Sequence, residues 1–169
     1  YRAGCRSFFV AHLNEGIRLR PVLPADADIH VLHGPHPGAE RDFVRNRLVP
    51  VLNSLPQVQA WQSLARDLDA MLPAVLQVDT GMARLDLAPD ELEHLTASPD
   101  GLQGIALKFL MSHLVSAEAQ GNAVNGLQLE RFRAARGRLP GVRCSLANSS
   151  GIFLGEAYHC DLVRPGAAL

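Results

Sequence analysis

The 169-residue chain is poor in cysteine, has a single lysine and lacks any long apolar run, and each scarcity narrows what the protein can be. Cys5, Cys144 and Cys160 are odd in number and form no Cys-x-x-Cys pair, so neither a disulfide framework nor a zinc centre is indicated and buried reduced thiols are expected. No apolar stretch approaches the roughly 20 residues of a membrane-spanning helix, and the start carries no basic segment leading into an apolar core of the signal-peptide kind. A cytoplasmic protein with no membrane partner is the expectation. Basic residues are not in excess, 16 Lys and Arg against 17 Asp and Glu for a net charge of −1, and they do not cluster, so no nucleic-acid partner is expected. The seven histidines are scattered without metal-ligand spacing, and no metal is expected. What remains is an ordinary globular composition, 47% hydrophobic and 20% charged.

Short apolar runs alternate with amphipathic stretches along the whole chain, the pattern of parallel strands covered on both faces by helices. Strands are predicted at residues 8–11, 28–32, 49–52, 74–78, 104–111, 142–147 and 161–169, seven in all. Helices are predicted near 12–18, 38–47, 58–68, 89–96 and 122–138; in the last, Val124, Leu127, Phe132 and Ala135 form one helical stripe expected to face the sheet. No linker, charge block or low-complexity segment marks a second domain. A β/α barrel and an open doubly wound sheet share this local pattern, and periodicity alone does not choose between them. A complete eightfold barrel usually needs about 250 residues, so the length suits a partial one.

The chemistry concentrates at the ends of apolar runs. Val78-Asp79-Thr80-Gly81-Met82-Ala83-Arg84-Leu85 delivers an acid, a glycine turn and an arginine. Asp, Thr and Gly are common turn formers, which accounts for the turn and leaves Arg84 unexplained. Ser112-His113 closes the run 105–111 and is followed by Ser116-Ala117-Glu118. A lone histidine at a strand end is often structural. Asn148-Ser149 can cap a helix or, with backbone N–H groups, receive an anion. Arg164-Pro165-Gly166-Ala167 ends the seventh run, and barrel phosphate sites are frequently built after strands seven and eight. Lys108 lies inside an apolar run, where burial would depress its pKa and free its amine. Strand alternation favours instead an outward lysine whose stem covers apolar surface.

Together these segments resemble the N-terminal, cofactor-binding barrel of alanine racemases, over nearly the whole chain. The resemblance implies a partial (β/α)8 TIM barrel spanning 1–169 and incomplete at both ends. The family's lysine motif would precede Tyr1-Arg2-Ala3-Gly4-Cys5, Phe8-Phe9-Val10-Ala11 resembles its second strand, and its second domain would follow Leu169. It implies pyridoxal phosphate as cofactor. Arg84 would meet the phenolic oxygen, His113 would pack over the ring, and Arg164 would face the pyridine nitrogen. Asn148 and Ser149, with the N–H groups of Gly166 and Ala167, would serve the phosphate. An arginine does not release its proton at working pH, so that nitrogen would stay neutral.

The implied reaction interconverts L- and D-alanine by two-base proton exchange at Cα, for peptidoglycan, in a homodimer. The two bases, a lysine and a tyrosine, occupy no motif position here, so the 169 residues alone are expected to be inactive. The sequence departs from the family at Gln77, where a carbamylated lysine is common, at Ser145, where a histidine often supports the pyridine-facing arginine, and at Phe109, where glycine is usual. Beside Gln77 a compensating anion or carboxylate is expected near Arg84. A racemase of different specificity, such as for serine, and a non-catalytic pyridoxal phosphate-binding barrel remain alternatives.

Overall fold

In the computed structural model, which describes residues 1–167, six strands alternate with five α-helices: β1 (Ser7–Val10), α1 (Leu13–Leu19), β2 (Asp28–Val31), α2 (Glu40–Arg45), β3 (Val49–Leu52), α3 (Leu55–Asp67), β4 (Leu72–Gln77), α4 (Pro89–Ala97), β5 (Ile105–Met111), α5 (Ala123–Gly137) and β6 (Cys144–Ser145). The strands lie in sequence order across one sheet, β1 to β6. Pairing is parallel with Ser7 opposite Asp28, His30 opposite Val49, and Leu110 opposite Cys144. Parallel neighbours require a crossover, and each crossover here is a helix. This is the β/α succession of a partial (β/α)8 barrel.

Local chemistry starts the helices where the sequence places polar caps. Ser54 Oγ accepts from Gln57 N–H with Pro56 in the first turn of α3, and Asn122 Oδ1 accepts from Val124 N–H at the start of α5. Pro89 opens α4, and the Glu91 carboxylate accepts from Ala88 N–H at 2.8 Å.

The chain divides into two compact units, Tyr1–Val75 with Leu102–Leu107, and Leu76–Gly101 with Lys108–Leu169. The first has a core of Ile29, Val31, Phe43, Val51, Leu52, Val58 and Trp61, with the Phe43 and Trp61 rings edge to face at 6.1 Å. The second buries Leu76, Leu87, Leu92, Leu110, Met111, Phe132 and Leu146. Full burial of each such side chain contributes about 1.5–3 kcal/mol, so both units have the apolar mass to hold their strands.

Four expectations are corrected. The seventh strand at 161–169 is reduced to a single bridge, Asn148 opposite Arg164. Pro165 has no N–H to donate, and Gly166 N–H turns back onto Arg164 O at 2.9 Å; Ala168 and Leu169 lie outside the described residues. The strand at 142–147 shortens to Cys144–Ser145. Among the thiols only Cys144 is buried, while Cys5 is exposed and Cys160 intermediate. The buried face of α5 is Asn125, Gln128, Leu129 and Phe132, whereas Val124 and Leu127 are exposed. Two polar residues thus hold positions that an apolar-periodicity argument reserves for hydrophobic ones. Lys108 is exposed, as an outward residue of β5.

Candidate active site

The chemistry-bearing segments of the sequence fall in the second unit, after β4, β5 and β6 and at the bridge of Arg164 with Asn148. After β4 the chain makes a loop closed by its own backbone: Leu87 N–H donates to Gln77 O at 3.0 Å and Asp79 N–H to Leu87 O at 2.8 Å. Inside it, Asp79 Oδ1 accepts from the N–H groups of Gly81, Met82 and Ala83 at 2.7, 2.9 and 3.1 Å. Burial pushes the Asp79 carboxyl up, but these backbone donors outweigh it and hold the group below its ordinary range. Gly81 at φ +132° supplies a conformation that side chains rarely adopt, and Ala83 follows at φ +51°. Arg84 sits exposed beyond this turn, and among the described residues its guanidinium makes no hydrogen bond or ion pair.

The carboxylate expected at salt-bridge distance from Arg84 is not found among the described residues; a carboxylate, Asp86, instead meets Gln77. Gln77 Nε2 donates to Asp86 Oδ1, while Asp86 Oδ2 is buried without a hydrogen-bond partner among the described residues. Burial raises the Asp86 pKa, against which the Gln77 hydrogen bond, Arg84 and Arg164 act to lower it. Arg84 itself is exposed rather than buried, so the desolvation cost assumed for it falls on Asp86 instead.

After β5, Ser112 is buried and His113 is half-buried. Burial, helped by the positive charges of Arg164 and Arg84, lowers the His113 pKa to about 4, so the ring is neutral at pH 7. Asn148 Nδ2 lies 3.4 Å from His113 Nε2 and donates to Leu114 O at 3.2 Å, while Asn148 Oδ1 accepts from Gly151 N–H at 2.9 Å. An amide nitrogen only donates, so Nε2 is the acceptor and the imidazole proton sits on Nδ1. Asn148 therefore orients His113 and the loop after β6. A Cβ at Gly151 would lie 2.7 Å from Leu114 Cδ1, so a larger residue there would have to displace the Leu114 side chain.

Arg164 is held by three acceptors. Its Nη1 donates to Ser145 Oγ, and its Nη2 donates to Ser112 O and Leu146 O. Ser145 Oγ in turn donates to Leu162 O at 2.8 Å, so a serine does the supporting work expected of a histidine. Burial draws the Arg164 pKa down to about 10, with Cys160 and Asp86 acting to raise it, and the group stays charged at neutral pH. Ala167 N–H donates to Ser149 Oγ at 2.9 Å, which joins the two segments expected to share an anion. A Cβ on Gly166 would meet nothing within 4 Å, so the backbone is open to close approach there.

The structure thus bonds Asn148 to His113, sets Arg164 opposite Asn148 in a backbone bridge, joins Ser149 to Ala167, and leaves Arg84 exposed. The donor set is two arginines, a hydroxyl, backbone N–H groups and a neutral imidazole. It suits a flat anionic ligand with a ring acceptor and a phosphate, and fits pyridoxal phosphate. Among the described residues, no group of three or more His, Cys, Asp or Glu could hold a metal ion. Sequence reasoning missed Asp86, Thr80 and Gln128. Only Asp86 left a signal, as an acid two residues beyond Arg84 at a loop's end.

The family model for "Alanine racemase, N-terminal domain" matches residues 1–169. An alanine racemase of Brucella abortus is 50% identical over 169 residues, covering 100% of this chain and 43% of that protein. A catabolic alanine racemase of Mesorhizobium japonicum is 48% identical, covering 99% of this chain and 44% of that protein. The crystal structure of alanine racemase from Bartonella henselae, with covalently bound pyridoxal phosphate, superposes with a TM-score of 0.95 at 40% identity, over 99% of this chain and 49% of that one. The chain spans less than half the length of these relatives.

Proposed function

The chain belongs to the alanine racemase N-terminal domain family, and we propose on that premise that it is the pyridoxal phosphate-binding barrel domain of an enzyme that interconverts L- and D-alanine. The single observation that carries this is Arg164, clamped by Ser145, Ser112 O and Leu146 O beside a neutral His113. A cation so fixed presents a hydrogen bond without a transferable proton.

Pyridoxal phosphate, when bound, supplies the electron-withdrawing ring that makes the Cα–H of an amino acid labile. Arg164 would face the ring nitrogen, donating a hydrogen bond without releasing a proton at neutral pH. Arg84 would face the phenolic oxygen. His113, uncharged and with its tautomer fixed by Asn148, would lie over the ring without adding a competing cation. Ser149 Oγ and the N–H groups of Gly166 and Ala167 would hold the phosphate. The family's lysine and tyrosine would serve as the two bases at Cα.

The enzyme so read acts as a homodimer in the cytoplasm and supplies D-alanine for peptidoglycan. Among the described residues no helix is long and apolar enough to cross a membrane. The full-length protein, loaded with pyridoxal phosphate, should form D-alanine from L-alanine and little product from serine in an amino-acid panel. Absence of D-alanine would refute the reading, and faster turnover of serine would reassign its specificity.

A further inference from the structure

The buried glutamine of α5 has no part in the function so far described. Gln128 is fully buried, and each of its polar atoms reaches a strand-end loop. Its Oε1 accepts from Val115 N–H at 2.9 Å, and its Nε2 donates to His113 O at 3.0 Å and to Thr80 Oγ1 at 3.1 Å. Thr80 Oγ1 lies 2.8 Å from Ser112 Oγ, which lies 2.7 Å from Val78 O.

Hydrogen-bond direction along this chain is forced. The single Ser112 hydroxyl proton goes to Val78 O, because a carbonyl only accepts, so Ser112 Oγ accepts from Thr80 and Thr80 Oγ1 accepts from Gln128. Arg131 Nη1 adds a bond to Thr80 O at 3.2 Å. The carbonyl of the same Ser112 receives Arg164. One side chain on one helix therefore ties down the base of the Arg84 loop, the backbone of His113 and, through Ser112, the clamp on Arg164. A buried amide whose polar atoms are all satisfied by partners of correct polarity fixes those partners relative to one another.

We infer that Gln128 is a positioning residue that holds the loops after β4 and β5 as one rigid unit and so sets the placement of Arg84, His113 and Arg164 toward the cofactor. The inference rests on the functional reading for what those residues contact, but not for the network itself.

The test uses Gln128→Met in the full-length protein, which keeps side-chain length and removes the amide. Exchange of the Val115 amide hydrogen should accelerate about tenfold. The His113 ring titration, followed by NMR, should move up by about one pH unit as the loop loosens and solvent reaches the imidazole. Affinity for pyridoxal phosphate should fall about tenfold, by analogy with groups that orient metal ligands. Thr80→Val, which interrupts only the hydroxyl chain, should shift the His113 titration in the same direction by less.

A Gln128→Met protein that loses stability while the His113 titration stays where it was overturns the inference, since packing alone would then explain the residue. If Gln128→Met does not fold, Thr80→Val decides, and an unmoved titration again overturns it. A wild-type protein that takes up no pyridoxal phosphate defeats the functional reading alone, because the Val115 and His113 measurements need no cofactor.

Discussion

Two glutamines, one in each unit, do the same mechanical job with different consequences. In the first unit Gln57 of α3 accepts from Asn53 N–H at 2.8 Å and donates to His33 O and Pro35 O at 3.0 and 3.3 Å, bracing the loops after β2 and β3. In the second, Gln128 of α5 braces the loops after β4 and β5. Gln57 meets only backbone, and Asn53 beside it does the same, donating to Leu32 O and Val51 O. Gln128 meets backbone and also side chains, and its bonds continue through Thr80 and Ser112 to the groups proposed to hold the cofactor. The first brace serves the fold and the second serves the fold and the site.

Arg164→Glu separates the units most sharply. It removes the clamped cation and places an acid beside Asp86, so racemisation by the full-length protein should fall by roughly 100-fold or more, the scale of losing a prearranged charged donor. Steady-state kinetics with alanine checks this, and a loss below about threefold would leave Arg164 without a part in the chemistry.

Gly34→Ala tests the other side of the comparison. At φ +66° an added Cβ would lie 2.4 Å from Val51 O and 2.9 Å from Gln57 Nε2, in the middle of the first brace. Thermal unfolding should show a loss of about 2–4 kcal/mol. The protein that remains folded should bind pyridoxal phosphate as well as wild type. Gln57→Met should behave alike but more mildly, costing about 1–3 kcal/mol for the backbone groups left unpaired, with the His113 titration unmoved. A His113 shift in that variant would erase the distinction between the two braces.

Acid should weaken the second unit through His113. Its pKa falls from 6.5 unfolded to about 4 folded, so the unfolded chain binds the extra proton as the pH drops through that window. Stability from this group is present above pH 6.5 and is lost as the pH falls toward about 4. After allowance for its part exposure the loss amounts to roughly 1–2 kcal/mol. Asp86 acts with the opposite sign, since its raised pKa lets the folded state take a proton first. Denaturant midpoints at pH 7 and pH 4.5 should differ in the stated direction, and His113→Gln should remove that loss, leaving the opposite contribution of Asp86.

The smallest effect is expected for Asp86→Asn. It removes a buried charge whose Oδ2 has no partner among the described residues, along with a counter-charge for two arginines, and these oppose each other. A stability change within about 1 kcal/mol is expected from thermal unfolding. A loss of several times that would mean Oδ2 is paired in solution.

Much of this was legible in the chain. Apolar runs separated by amphipathic stretches predict β1 to β5 within a few residues, because strands buried on both faces must be apolar throughout. The turn at Asp79-Thr80-Gly81 announced itself through residue types that tolerate unusual backbone. The seventh strand failed because Pro165 and the back-turned Gly166 end pairing after one bridge. The α5 stripe failed because a helix can bury polar residues when loops supply partners, and periodicity counts hydrophobicity rather than partners.

The sequence by itself determined the parallel β/α order, the strand-end positions of the candidate residues and the departures at Gln77 and Ser145, since these follow from local pattern and residue identity. Only the tertiary structure decided that Asp86 meets Gln77, that Ser145 carries Arg164, and that Gln128 joins Thr80 to His113. Those pairs lie 9, 19, 48 and 15 residues apart along the chain. Whether a polar side chain is costly or useful depends on the donor or acceptor that folding brings to it, and no local pattern records that partner.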